Sequence, residues 1–182
     1  MSSIEETAAA IQAAKTTGLR ICATMTFDTA SRSMMGVMPA DFAKFASVSG
    51  ASFIGTNCGI GPAELLHSVC GILTASGNLP VVARGNCGIP TYVEGAIHYH
   101  GTPELMAEYA LFARDVGAKI IGGCCGTSPA HVAAMVAALD ATPIREFDEV
   151  AMIGAFGDAW ADVNIDNVGG DDRRKRRGRR RA

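Results

Sequence analysis

Two adjacent thiols, Cys124 and Cys125, stand in the run Ile120-Ile121-Gly122-Gly123-Cys124-Cys125-Gly126-Thr127-Ser128-Pro129. A short apolar stretch ends there in paired glycines. Ser128-Pro129 then opens a helix that runs to Leu139, with Thr127 or Ser128 as N-cap and Pro129 at the first helical position. The pair therefore lies where a parallel strand stops, the place at which open α/β sheets and (β/α) barrels keep their sites. A third thiol stands at a similar junction, Phe53-Ile54-Gly55-Thr56-Asn57-Cys58-Gly59-Ile60-Gly61-Pro62. Read alone, Cys58 is a small buried hydrophobe. A vicinal pair admits thiol redox chemistry, but its oxidation would close a strained ring, unlike the usual Cys-x-x-Cys. Three thiolates also fit zinc, whose catalytic sites hold three protein ligands and leave the fourth position for water or substrate.

The surrounding elements must bring these thiols together. Ser2-Ser3-Ile4-Glu5-Glu6 is a capping signature for an alanine-rich helix through Lys15, stopped by Gly18. Strands are expected at Arg20–Thr26, Ala51–Asn57, Leu79–Gly85 and Lys119–Gly123, and helices at Pro39–Ser49, Pro62–Leu73, Thr102–Val116 and Pro129–Leu139. The stretches Phe27–Met38 and Asn86–Gly101 read as long loops. Alternation of helix and strand throughout predicts a parallel sheet with right-handed crossovers. Cys58 then follows the second strand and Cys124-Cys125 the fourth, on one rim, with one strand between them.

Composition bounds the rest. The chain has 182 residues, 48% of them hydrophobic, which suffices for one domain with a sizeable core. No apolar run approaches a membrane span and no basic-then-apolar leader opens the sequence, so a cytoplasmic protein with reduced thiols is expected. The net charge of −2 conceals an asymmetry, because residues 173–181 carry eight of the 16 basic residues. Residues 171–182 form a low-complexity basic run expected to be disordered. Without aromatics or a fold it carries no sequence readout, so a nucleic-acid partner is not expected.

Gly-Thr-Asn-Cys-Gly, followed sixty-odd residues later by Gly-Gly-Cys-Cys-Gly-Thr, resembles the homocysteine S-methyltransferase family, which includes betaine-dependent enzymes and the homocysteine-binding barrel of methionine synthase. The resemblance implies that Cys58, Cys124 and Cys125 bind zinc. It implies an enzyme that moves a methyl group from a small donor, betaine-like, S-methylmethionine or a methyl-corrinoid or folate, to the thiol of homocysteine, giving methionine. It also implies a (β/α)8 TIM barrel of which this chain holds the second half, strands five to eight. On that reading residues 1–142 are the half barrel, 143–170 an extension and 171–182 the tail. A half barrel exposes two unpaired edges and an apolar inner face. A complementary N-terminal half-barrel chain or self-association is therefore expected. The alternatives are a non-catalytic zinc-binding remnant or subunit and a vicinal-thiol redox protein.

Further residues border the same rim. Asn57 and Asn86 are amides near strand ends that could orient a substrate, although loop amides commonly satisfy their own backbone. Asp28 lies in Met25-Thr26-Phe27-Asp28-Thr29, which resembles a family segment, and would receive an amino group or cap a turn. Cys87 stands where the family usually has a small residue such as alanine, and reads as a plain substitution. Cys22 and Cys70 read as packing positions. His98 and His100 form a His-x-His pair expected to be solvated.

Overall fold

The computed structural model describes residues 1–160. The basic tail and the end of the extension lie outside the described residues. The chain begins with α1 (Ile4–Lys15), whose N-cap Ser3 accepts from the Glu6 N–H while the Glu6 carboxylate accepts from the Ser2 N–H. β1 (Cys22–Met25), α2 (Pro39–Val48), β2 (Phe53–Cys58), α3 (Pro62–Leu73) and β3 (Val81–Gly85) follow. Next come β4 (Pro90–Val93), β5 (Ala96–Tyr99), α4 (Pro103–Val116), β6 (Ile120–Gly123), α5 (Pro129–Ala141) and α6 (Glu149–Phe156).

β1, β2, β3 and β6 form one parallel sheet in that order. Mixed α/β architecture with a parallel sheet is thus what the alternation of elements predicts. Register assigns the two faces, because paired residues of parallel strands share a side. Ala23, Met25, Ile54, Thr56, Val81 and Ala83 occupy one face and are all buried. Helices cover that side: α3 sends Leu65, Leu66, Val69 and Ile72 into the core at helical spacing, and α4 sends Met106, Tyr109, Ala110 and Ala113. The other face carries Cys22, Phe53, Asn57, Arg84 and Ile120. Cys22, Arg84 and Ile120 on it are exposed, and the Arg20 guanidinium lies 5.3 Å from the centre of the Phe53 ring. Cys22 therefore does not pack as expected: it belongs to the side that no helix among the described residues covers. β2 and β3 approach so closely that a Cβ at Gly55 would lie 2.1 Å from the Val82 carbonyl oxygen. Only glycine fits there.

Two elements depart from the sequence reading. The stretch Asn86–Gly101 is not a plain loop but contains an antiparallel hairpin, Pro90 pairing with Tyr99 and Val93 with Ala96. Its two-residue turn, Glu94-Gly95, has both residues at positive φ (50° and 88°), the mirror-image turn that matches strand twist. Beyond residue 142, α6 is capped by Asp148 and docks Met152 and Phe156 on the core, with the Phe156 and Phe112 ring centres 5.6 Å apart. No helix among the described residues is long and apolar enough to cross a membrane.

Candidate functional site

β2 ends in a sharp left-handed turn. Cys58 has φ 59° and Gly59 φ 83°, so the strand stops and the Cys58 side chain turns across the rim. A non-glycine residue in that region is unfavourable and persists only where its surroundings impose it. On β6, the Cys124 N–H donates to the Gly85 carbonyl at 2.7 Å, and the Thr127 N–H closes the turn onto the Cys124 carbonyl at 3.3 Å. These two turns bring the three thiols together. Cys58 Sγ lies 2.9 Å from Cys124 Sγ and 3.9 Å from Cys125 Sγ, and all three sulfurs fall within 4.8 Å of one another.

The intervening strand supplies the clamp. Asn86, 3% exposed, donates its amide to the Gly59 carbonyl at 2.7 Å and accepts from the Cys125 N–H at 3.1 Å. One side chain thus ties the two cysteine turns together. The adjacent Cys87 N–H donates to the Cys125 carbonyl at 2.9 Å. Asn57 precedes Cys58 on β2 and pairs in register with Arg84. Asp28 stands apart, accepting from the Thr29 hydroxyl at 3.2 Å in a pocket lined also by Met1, Ser2, Glu6, Thr26 and Met34.

Several contributors are invisible to motif reading. His131, three residues into α5, accepts the Ser128 N–H at Nδ1 (3.0 Å), which leaves Nε2 carrying the proton of the neutral ring. That nitrogen faces the Gly101 carbonyl at 3.3 Å and Cys87 Sγ at 3.1 Å, so Cys87 is buried beneath the site and is held by named partners. Tyr99, from the hairpin, rests with its ring on Gly126, the residue after Cys125. The two β-rich quartets flanking Glu94-Gly95 are the sequence signal that could have placed it. His98 and His100 are exposed on the hairpin, their rings 6.4 Å apart.

Electrostatics divide the thiols. Burial, and then the hydrogen bond to Cys124, push the Cys58 thiol up to about 12. Burial also opposes ionisation of Cys124. The Cys58 and Cys125 thiols, the Cys125 N–H and the Arg84 guanidinium outweigh it and hold Cys124 below its ordinary value. Arg84 pairs in register with Asn57 and Gly122, one residue before the strand end. The donor set fits a metal. Zinc–sulfur bonds of about 2.3 Å in a tetrahedron separate the sulfurs by about 3.8 Å, within the range these thiols span. Cys125 is exposed, so the cluster is open to solvent on one side.

Comparison with known proteins gives the family. A family model described as homocysteine S-methyltransferase matches residues 1–139, and the chain belongs to that family. It is 36% identical over 91 residues to methionine synthase of Mycobacterium tuberculosis (strain ATCC 25618 / H37Rv), covering 50% of this chain and 8% of that protein. It is 31% identical over 160 residues to S-methylmethionine–homocysteine S-methyltransferase of Rattus norvegicus, covering 79% and 43% respectively. The metallated form of the homocysteine methyltransferase MmuM from Escherichia coli shares the fold at a TM-score of 0.60 and 22% identity, over 75% of this chain and 42% of that one. The chain therefore spans less than half the length of each of these relatives.

Proposed function

We propose that this chain is the zinc-thiolate part of a homocysteine S-methyltransferase, the second half of a (β/α)8 barrel, transferring a methyl group from a small donor to the thiol of homocysteine. The observation that carries the reading is the convergence of Cys58, Cys124 and Cys125 from two strand ends, within 4.8 Å, in a chain of this family. Zinc, when bound, supplies the charge that keeps these thiols and an entering thiol deprotonated at neutral pH. The chain's own residues do the rest. Cys58, Cys124 and Cys125 form three corners of the ligand set, and Asn86 fixes the distance between the two turns that carry them. Asn57, beside Cys58, and the unused hydrogen-bonding capacity of Asn86 orient the substrate, while Asp28, apart from the thiols, holds the Thr29 hydroxyl. In the reaction the homocysteine sulfur attacks the donor methyl carbon. The new S–CH3 bond forms as the bond from methyl to donor breaks, and the thiol proton passes to solvent.

The open sheet face and the outer edges of β1 and β6, unpaired among the described residues, support a complementary half-barrel chain, or a second copy, closing the barrel. A cytoplasmic location suits six free cysteines. Elemental analysis of the purified, reduced chain tests the reading, with Cys58→Ser and Cys125→Ser beside the parent. About one zinc per chain, lost in both variants, is expected from a three-thiolate site. Methionine formation is then assayed with homocysteine and betaine, S-methylmethionine or methylcobalamin, alone and with a first-half chain. Metal-free soluble parent protein sinks the reading. Zinc binding without turnover in any mixture leaves a non-catalytic zinc-binding subunit.

A further inference from the structure

We infer that Arg84 binds the carboxylate of the entering thiol amino acid over the bare backbone of Gly122, and so sets which thiols the three-cysteine site accepts. The inference rests on the homocysteine reading proposed above and names the group that recognises the acid end of that substrate.

Strand register places the arginine. β3 lies between β2 and β6, and Arg84 pairs with Asn57 on one side and with Gly122 on the other. Its neighbours Ala83 and Gly85 are buried, whereas Arg84 is exposed, so its side chain leaves the sheet on the face opposite α3 and α4. Each flanking strand carries a thiol a little further on. Cys58 follows Asn57 directly, and Cys124 stands two residues beyond Gly122, a rise of about 6.6 Å along the strand. The guanidinium is therefore attached one strand-step short of the rim, on the strand that runs between the two sets of thiols.

Its surroundings distinguish Arg84 from an ordinary solvated arginine. A Cβ built on Gly122 would meet no atom within 4 Å, so the backbone beside Arg84 lies bare on this face. None of the strand positions that share the face is acidic, and Arg84 makes no ion pair among the described residues. A fixed positive charge with open space beside it and no counter-ion suits an anion. The planar guanidinium matches a carboxylate in particular, through two parallel hydrogen bonds that a lysine could not supply. Extended, the carbon chain between the sulfur and the carboxylate of homocysteine spans about 5 Å. A substrate whose sulfur joins the thiol cluster thus lays its carboxylate over Gly122, within reach of Arg84.

The test compares two thiols that differ only in the carboxylate. Parent, Arg84→Gln and Arg84→Lys are saturated with cobalt(II), and homocysteine or its decarboxylated analogue, aminopropanethiol, is titrated into each while the visible absorption of the metal reports entry of the sulfur. Hydrogen bonds to a charged group correspond to about 10–100-fold in affinity, so the parent should prefer homocysteine by about that factor. Arg84→Gln should lose the preference by weakening homocysteine alone, and Arg84→Lys should keep part of it, with the far-ultraviolet circular dichroism of both unchanged. Parental homocysteine affinity in Arg84→Gln overturns the inference and leaves the homocysteine reading standing. So does an equal weakening of both thiols, which would report a disturbed metal site and not a lost carboxylate contact. A parent that takes no cobalt, or takes cobalt but no homocysteine, removes the homocysteine reading and this inference with it.

Discussion

Asn86→Ala tests the account of how the thiols are held. The side chain is 3% exposed and makes two hydrogen bonds, to the Gly59 carbonyl and from the Cys125 N–H. Its removal leaves a carbonyl and an N–H without their partner at the junction of the two turns. At about 1–2 kcal/mol for each orphaned group, the metal-free protein should lose about 2–4 kcal/mol. The cysteine turns also lose the strut that sets their separation, and loss of a residue supporting metal ligands weakens affinity by about 10–100-fold. Urea unfolding of the metal-free chain reads the first quantity, and zinc competition with a chromophoric chelator the second. Asn86→Asp is the informative companion. Its carboxylate can still accept from the Cys125 N–H but cannot donate to Gly59, so its loss should fall between parent and alanine. Parental stability together with parental zinc affinity in Asn86→Ala would refute the idea that this side chain organises the site.

Further outcomes follow from other contacts. Gly55→Ala forces a Cβ to within 2.1 Å of the Val82 carbonyl and should cost more than about 4 kcal/mol or abolish folding, as soluble yield and circular dichroism would show. Tyr109 is fully buried, its hydroxyl accepts from the Gly85 N–H at 3.1 Å, and burial raises its phenol. Folding therefore favours the protonated form. Its contribution is complete below the unfolded value of about 10 and is lost as pH rises further, so Tyr109→Phe should flatten the alkaline fall in stability between about pH 10 and 12. Removing zinc with a chelator from protein held in free zinc at about a hundred times the dissociation constant should lower stability by about 2.7 kcal/mol. That corresponds to about 5–10 °C in Tm, and Cys58→Ser should show no such change.

The sequence reveals the sheet and the thiols because both are written locally. Each strand is a short apolar run bounded by glycine or proline, and each cysteine turn is marked by glycines whose positive φ the structure uses, at Gly59 and Gly126. Asn86 is legible as a polar residue at a strand end, but its two partners lie 27 and 39 residues away and no spacing points to them. The hairpin escapes because its strands are four residues long and exposed at every position but Tyr99, so no alternation of apolar and polar side chains announces them. Tyr99 escapes with it. Cys87 is a plain substitution only in one dimension. In the fold it meets the Gly101 carbonyl and His131, a contact between segments 44 residues apart. Cys22 is misread for the opposite reason, since an apolar strand does not say which of its faces the helices will cover.

The thiols of Cys58 and Cys124 are separated by 66 residues of chain, which include α3, β3, the hairpin, α4 and β6. No fragment that stops short of β6 can bring them together, and β2, β3 and β6 must pair before the sulfurs meet. The cluster is therefore among the last contacts that loop closure permits, a non-local pairing of the kind that slows folding. It also makes the site a clock. During refolding, pulse labelling would find Cys58 and Cys124 equally reactive while β6 is free, and the divergence of their alkylation rates would time the moment at which the final strand joins the sheet.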